Sequence, residues 1–490
     1  MKKKLLCILL IVLFVTPLLY SCKDETQNES TDGSGNADLE SIIGLPAKNF
    51  GGQELSILTV NEKRGNIYYN YEIASTEPTG DVINEAVYTR TQKIKDDYGI
   101  VLDVTYTDNP TTDIKNTILS GDNSYQLICD GIYYLAELGI EGNLRDLNKI
   151  STLNLEHPWW DQSALNDLTV AGYTFYLSGD IIVSDKTATW CCFFNKDMVD
   201  NYQLEDPYTL VNDGKWTIDK LYEMGKKVSE SNKGLPQVTY ENGTFGLITQ
   251  TYDGIASMIS FNQKMITKDA DDYPILNIQN EETYDKFEKV FNLMTDTNNS
   301  LIAEKLESKW STAVYDKANS AFFSGRGLFQ YNKLAYVQKI IDADVEFSYG
   351  VLPLPKYDEN QEKYYAACTT YMAQFLAIPI TVPTADLEII GYALELMGYY
   401  GKELLTPAFY EITMKAKKMD DAQSEEMLDI IFGNKVFDLA SVFNYDNALY
   451  LYTNIIGSGT NTLASSAESR ATAIQKTVDD SIEKFKAIEQ

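Results

Sequence analysis

An α/β protein organised as two lobes is the fold class predicted by three features of the sequence. Between Glu54 and Cys129 the apolar pattern changes from strand-like to helical and back, giving strand, helix, strand, helix, strand. That order belongs to a parallel sheet with crossover helices. The chain has 490 residues, more than a single hydrophobic core organises, so two bodies are expected. Hydrophobic residues make up 44% of it, which is enough for ordinary globular interiors.

Residues 1–21 have the layout of an export signal, with Lys2, Lys3 and Lys4 before an almost continuously apolar stretch from Leu5 to Leu19. This stretch is shorter than the roughly 20 residues that span a bilayer. It ends in Leu19-Tyr20-Ser21-Cys22, which resembles the bacterial lipobox. The resemblance implies cleavage before Cys22, acylation of its thiol, and a lipid-anchored chain on the extracytoplasmic face of the membrane. Residues 22–46 are expected to be a tether, because Lys23 to Asp38 carries no aliphatic side chain larger than alanine. Such a composition buries too little apolar surface to offset its ordering entropy.

In the body, Glu54 to Val60 is a first strand. Asp81 is placed as the N-cap of a helix that turns Val82, Ile83, Ala86, Val87 and Ile94 inward, with Gly99 as its stop. Ile100 to Thr105 is a second strand, Ile114 to Leu119 a short helix, and Tyr125 to Cys129 a third strand. Helical periods recur at Thr217–Val228, Glu282–Met294, Ala385–Tyr400 and Ser424–Ile431, and the tail Ser465–Glu489 is amphipathic. Thr189–Phe194 and Glu346–Leu352 are strand-like. No repeat period is visible, which argues against a solenoid.

Composition excludes several function classes. A formal net charge of −30 repels nucleic acid and anionic lipid headgroups. His157 is the single histidine, so His-based triads, His-rich zinc sites and HExxH are absent. No phosphate loop ending in GK[ST] and no GxSxG elbow occurs. Carboxylates are too many for one pair to stand out as glycosidase machinery. Cys129, Cys191, Cys192 and Cys368 remain in the body and are expected to be buried small apolar residues. A long-range disulfide is compatible with export, and the sequence does not choose its partners. Neither a metal nor an organic cofactor is indicated.

Several stretches resemble the family 1 extracellular solute-binding proteins, the maltose-binding type of receptor that serves ABC importers. Phe193-Phe194-Asn195-Lys196-Asp197-Met198 resembles the family's strand-to-helix step, and Asp213-Gly214-Lys215-Trp216-Thr217 with Leu221 its helix opening. Phe323-Ser324-Gly325-Arg326-Gly327 and Tyr349-Gly350-Val351-Leu352-Pro353-Leu354-Pro355 are similar to two later segments. Pro407-Ala408-Phe409-Tyr410 with Glu425-Glu426-Met427-Leu428-Asp429 resembles a C-terminal pattern of one branch. The resemblance runs from about Glu54 to Lys486, and the order of these motifs carries more weight than any one of them. It implies the periplasmic-binding-protein fold, two α/β lobes joined by hinge strands around a solute cleft. Lobe one would be residues 47–187 plus 370–433, and lobe two 188–369 plus 434–490. It also implies a small-molecule solute, most simply a sugar, ABC permease subunits as partners, and no catalysis. A receptor for peptides or another polar solute, a surface carbohydrate-active enzyme, and a structural or adhesive lipoprotein are the competing readings.

The candidate contacts follow from sugar chemistry and strand topology. Rings cover the C–H faces of sugars and polar side chains bond their hydroxyls, and the chain holds 34 Tyr, 19 Phe and 5 Trp. Ligands favour the carboxyl ends of parallel strands. That rule selects Asn61, Glu62 and Arg64 after the first strand, and Asp130, Tyr133 and Tyr134 after the third. Trp159, Trp160 and Asp161 form an aromatic patch, with core packing the competing role for each Trp. Trp190 lies beside the first expected crossover, and Tyr252, Asp253 and Trp310 are further lobe-two candidates. Arg326 is one of five arginines, suited to bidentate hydrogen bonding or to a surface turn. Tyr331, Phe443 and Tyr445 are selected by position within the resemblance.

Overall fold

The structure is a computed structural model that describes residues 40–61, 72–309, 311–414 and 422–488. The first strand, β1 (Gln53–Val60), buries its last four residues completely. Alongside it runs β2 (Ile100–Thr107), parallel and in register from Gln53↔Ile100 to Val60↔Thr107. The helix between them, Val82–Tyr98, begins where the Asp81 carboxylate accepts the Asn84 amide and ends where Gly99 adopts φ 62°. Ile83, Val87 and Ile94 repeat at helical spacing and are fully buried. Val82 and Ala86, also expected inward, are only partly covered.

On the other side of β1, β3 (Leu127–Gly131) pairs in parallel from Ile57↔Leu127 to Thr59↔Cys129. The expected strand at Tyr125–Cys129 is therefore displaced by two residues. Asp130 and Gly131 stay in the sheet because a strand returning much later pairs with them on the free edge. In consequence Tyr133 and Tyr134 stand on the helix Ile132–Ile140 rather than on a loop.

The second sheet begins with β4 (Trp190–Asn195), followed by β5 (Phe245–Thr249). A hairpin of β6 (Ile266–Lys268) and β7 (Pro274–Leu276) comes next. Then follow β8 (Ser300–Ile302), β9 (Gly327–Lys333) and β10 (Tyr349–Leu352). The sheet order is β10-β4-β9-β5-β8. Because β5 runs parallel to β8 and to β9, their carboxyl ends at Thr249, Ile302 and Lys333 share one edge. Trp190, the first residue of the antiparallel β4, pairs with Lys333 at that edge.

Three short strands complete the framework. They are β11 (Ala366–Ala367), β12 (Gln374–Ala377) and β13 (Lys435–Val436). β12 closes the first sheet as β12-β3-β1-β2, while β11 and β13 pair in parallel between the two sheets. Thr189 bridges Cys368 at the same junction. One apolar cluster runs from Ile83, Val87 and Leu135 beside the first sheet through to Phe193, Phe329 and Val351 in the second. A separate cluster covers the first sheet's other face, with Leu55, Leu127, Trp159 and Trp160 among its members. The helix Ala422–Gly433, expected with lobe one, rests on the second: Ser424 Oγ lies 2.7 Å from the Tyr208 hydroxyl. No helix among the described residues is long and apolar enough to cross a membrane.

Candidate functional site

A row of aromatic rings crosses from one sheet to the other, and its placement follows from the backbone. β3 runs directly into the helix Ile132–Ile140. The amides of Ile132 and Tyr133 at its first turn donate to the carbonyls of Ala373 (3.0 Å) and Thr370 (3.1 Å). Gly131 permits that approach, since a Cβ there would lie 2.6 Å from the Tyr371 carbonyl oxygen. With its backbone so held, the Tyr371 ring packs on Tyr133 at a centroid distance of 4.3 Å. Tyr134 meets Tyr133 edge-on at 5.5 Å. On its other side Tyr371 lies 6.4 Å from Tyr252, which lies 5.7 Å from Trp190. The four tyrosines are half-buried and present ring surface at the junction of the sheets. The hydroxyls of Tyr371 and Tyr450 hydrogen-bond to each other.

Polar groups are fixed at both ends of the row. Trp190 Nε1 donates to Asp253 Oδ1 at 2.9 Å. Asp253 is fully buried and also accepts from Thr249 Oγ1 (2.8 Å), Gln250 N (3.0 Å) and Gln250 Nε2 (3.0 Å). Burial raises its pKa, while Lys333 and these donors pull it back. The Lys333 ammonium lies 4.9 Å from the Trp190 ring centroid. At the other end Asp130, also fully buried, accepts from Thr111 Oγ1 at 2.8 Å and from the Gly131 amide at 2.7 Å.

Beside Tyr133 and Tyr134 opens a cavity of about 430 Å³, whose lining also includes Thr111, Glu137, Phe443 and Asn444. Asn444 Nδ2 reaches the Tyr133 hydroxyl at 3.4 Å, while its Oδ1 is buried without a hydrogen-bond partner. Flat rings with hydroxyl, amide and carboxylate groups at their rims can cover the C–H faces of a polyhydroxylated solute and bond its oxygens. No grouping of His, Cys, Asp and Glu suited to a metal ion occurs among the described residues.

The structure brings Tyr133, Tyr134, Tyr252 and Asp253 into this row, with Asp130 at its root, while Trp190, only 2% exposed, backs the row from the core instead of presenting a face to the cleft. Other candidates lie elsewhere. Trp159 and Trp160 are 2% and 3% exposed in the core of the first lobe. There Trp159 Nε1 donates to Glu395 (3.0 Å) and Trp160 Nε1 to the Asn154 carbonyl (3.0 Å). Asp161 is taken up by Lys435, 2.6 Å away. Arg326 lies at the amino end of β9, opposite the edge where the row runs, and its guanidinium donates to the carbonyls of Tyr240 and Gly243. Tyr331 is inside β9, opposite Cys192, and 2% exposed. Tyr445 is 4% exposed and accepts a 3.4 Å hydrogen bond from Ser481 Oγ, whereas its neighbour Phe443 lines the cavity. Asn61 donates to Asp108. Cys22, Glu62, Arg64 and Trp310 lie outside the described residues.

Sequence reasoning missed Tyr371, Asn444 and Lys333. The carboxyl-end rule, applied to β9, selects Lys333. Tyr371 precedes an antiparallel strand and had no such signal. All four described cysteines are buried free thiols.

Comparison with known proteins gives the class. The family model of the bacterial extracellular solute-binding proteins matches residues 75–401, and the chain belongs to that family. The fold is that of the two-lobed periplasmic binding proteins. One similar structure is the maltose/maltodextrin-binding domain MalE from Bdellovibrio bacteriovorus bound to maltotriose: TM-score 0.52, 14% identity, covering 88% of this chain and 100% of that one. A second is the cyclic alpha-maltosyl-1,6-maltose binding protein from Arthrobacter globiformis, with TM-score 0.57, 11% identity, and coverage of 88% and 100%. A third is an ABC transporter solute-binding protein from Thermotoga lettingae bound with α-D-tagatose, with TM-score 0.53, 13% identity, and coverage of 87% and 100%. No curated relative matches the chain at a significant level.

Proposed function

We propose that this protein captures a sugar or oligosaccharide between its lobes and delivers it to an ABC importer, tethered to the extracytoplasmic face of the membrane by a lipid on Cys22. The observation that carries the reading is the half-buried ring row Tyr133–Tyr371–Tyr252, backed by the buried Trp190 and supplied from both sheets and from the segment between them. Sugars need stacking faces with polar rims, whereas an extended peptide needs a free strand edge or charge pairs for its termini. Three of the structures it resembles are named for maltotriose, cyclic maltosyl-maltose and tagatose, which supports the same solute class. We divide the chain into lobes at residues 47–187 plus 370–421 and 188–369 plus 422–490, moving the helix Ala422–Gly433 for its contact with Tyr208.

The test is titration with neutral oligosaccharides while melting temperature and X-ray scattering are recorded. A ligand that binds only the native state adds RT ln(1 + [L]/Kd), about 2.7 kcal/mol at a hundredfold excess over Kd. The expected result is a rise in melting temperature together with a smaller radius of gyration, from hinge closure. Saturable binding by a peptide mixture and none by sugars would overturn the solute class.

A further inference from the structure

We propose that Lys333 is the hydrogen-bond donor that lobe two offers to the solute, and that the solute it selects is an uncharged sugar; this rests on the sugar reading above. Lys333 ends β9, at the edge shared by the carboxyl ends of β5 and β8, where parallel strands present their ligands' partners. Its ammonium lies 4.9 Å from the ring centroid of Trp190, which backs the row. Among the described residues that ammonium makes no hydrogen bond and no ion pair, although the side chain is half-buried. Its N–H donors are left to solvent, so a solute oxygen at this edge can take the place of water on them.

The carboxylates nearby do not fill the role. Asp253 spends both oxygens on Trp190, Thr249 and Gln250. Glu304 accepts from the Thr251 amide at 3.0 Å and from the Tyr315 hydroxyl at 3.2 Å. They act on Lys333 through space, opposing the effect of burial on its charge. Burial lowers the Lys333 pKa and the two carboxylates only partly offset that, while its N–H donors meet no protein acceptor among the described residues. Asp253, hydrogen-bonded to the Trp190 ring over which the Lys333 ammonium lies, and Glu304, bonded to the Thr251 amide next to Tyr252, already place carboxylates at this end of the row, so a uronate or sulfate ester arriving there would add a further anion. Hydroxyl and ring oxygens accept from the ammonium without that repulsion.

The experiment uses the purified chain and two probe mixtures, neutral malto-, cello- and raffinose-type oligosaccharides and their uronic-acid counterparts from pectin and alginate. Melting temperature and calorimetric affinity are measured for the parent, Lys333→Met and Lys333→Gln. The neutral arm is expected to stabilise the parent. In Lys333→Met affinity falls about tenfold or more, the size expected for one lost charged hydrogen bond. Lys333→Gln lies between, and both unliganded variants melt at or above the parent. Equal affinity of parent and Lys333→Met for a neutral sugar would overturn the role of Lys333 and leave the sugar reading standing. A fall in the unliganded melting temperature of both variants would make Lys333 a packing residue. Binding confined to the uronic arm would overturn the charge assignment, and binding in neither arm would overturn the sugar reading with it.

Discussion

Lys435 places its ammonium 2.6 Å from the Asp161 carboxylate, and both side chains are only 6% exposed. Lys435 also pairs with Asp185, whose side chain is fully buried, and the Cys368 thiol donates to the Asp185 carbonyl at 3.2 Å. One ammonium thus ties β13 to the first lobe and to the stretch leading into β4, at the junction where the sheets meet.

Removing this ammonium leaves two buried carboxylates without their cation. Lys435→Ala is expected to cost about 3–5 kcal/mol in urea unfolding, as for other broken buried pairs. The triple replacement Lys435→Met, Asp161→Asn, Asp185→Asn is expected to recover most of that loss. A single variant as stable as the parent would show that the pair contributes little.

Glu72 should make stability depend on pH near neutrality. Burial pushes its carboxyl up from 4.5 to about 7, partly offset by the amides of Val183 and Ser184, which donate at 2.8 and 3.0 Å. The folded state therefore holds this proton more tightly than the unfolded chain. Its contribution is fully present below about pH 4.5, falls as pH rises, and is lost above about 7. The swing is on the order of 3 kcal/mol. Unfolding free energies of parent and Glu72→Gln, compared from pH 4.5 to 8, should diverge by roughly that amount; parallel curves would contradict the prediction.

Tyr133 and Trp159 should respond to truncation in opposite ways. Tyr133→Ala removes half-buried ring surface from the row and is expected to weaken sugar binding by about 2 kcal/mol, with a small change in melting temperature. Trp159→Ala empties a core site and is expected to cost about 3–5 kcal/mol of stability while affinity is kept. Calorimetry and thermal unfolding of the two variants decide between contact and packing, and reversed roles would relocate the site.

Cys22 is expected to be the point of membrane attachment. Cys22→Ala should move the protein from the membrane fraction to the soluble one, because the variant lacks the thiol that would carry the lipid. Retention of the variant in washed membranes would point to another anchor.

What the sequence by itself determined was local. Asp81 and Gly99 mark the ends of one helix through a side-chain acceptor and a left-handed φ, and both are visible as residue types. The strands near 54, 100, 190 and 349 were legible because apolar runs bounded by turn residues are short-range signals, and the family order of motifs placed them in two lobes. The tertiary structure decided which aromatics share a surface. Trp159 and Tyr331 read like site residues, yet the first closes a core against Glu395 and the second lies inside β9. Tyr371, distant from Tyr133 and Tyr252 in sequence, reaches both only because β12 returns beside β3 and Gly131 admits its backbone. Stacking depends on separations of a few ångströms between groups far apart along the chain, and that distance is set by sheet pairing, which no local pattern encodes.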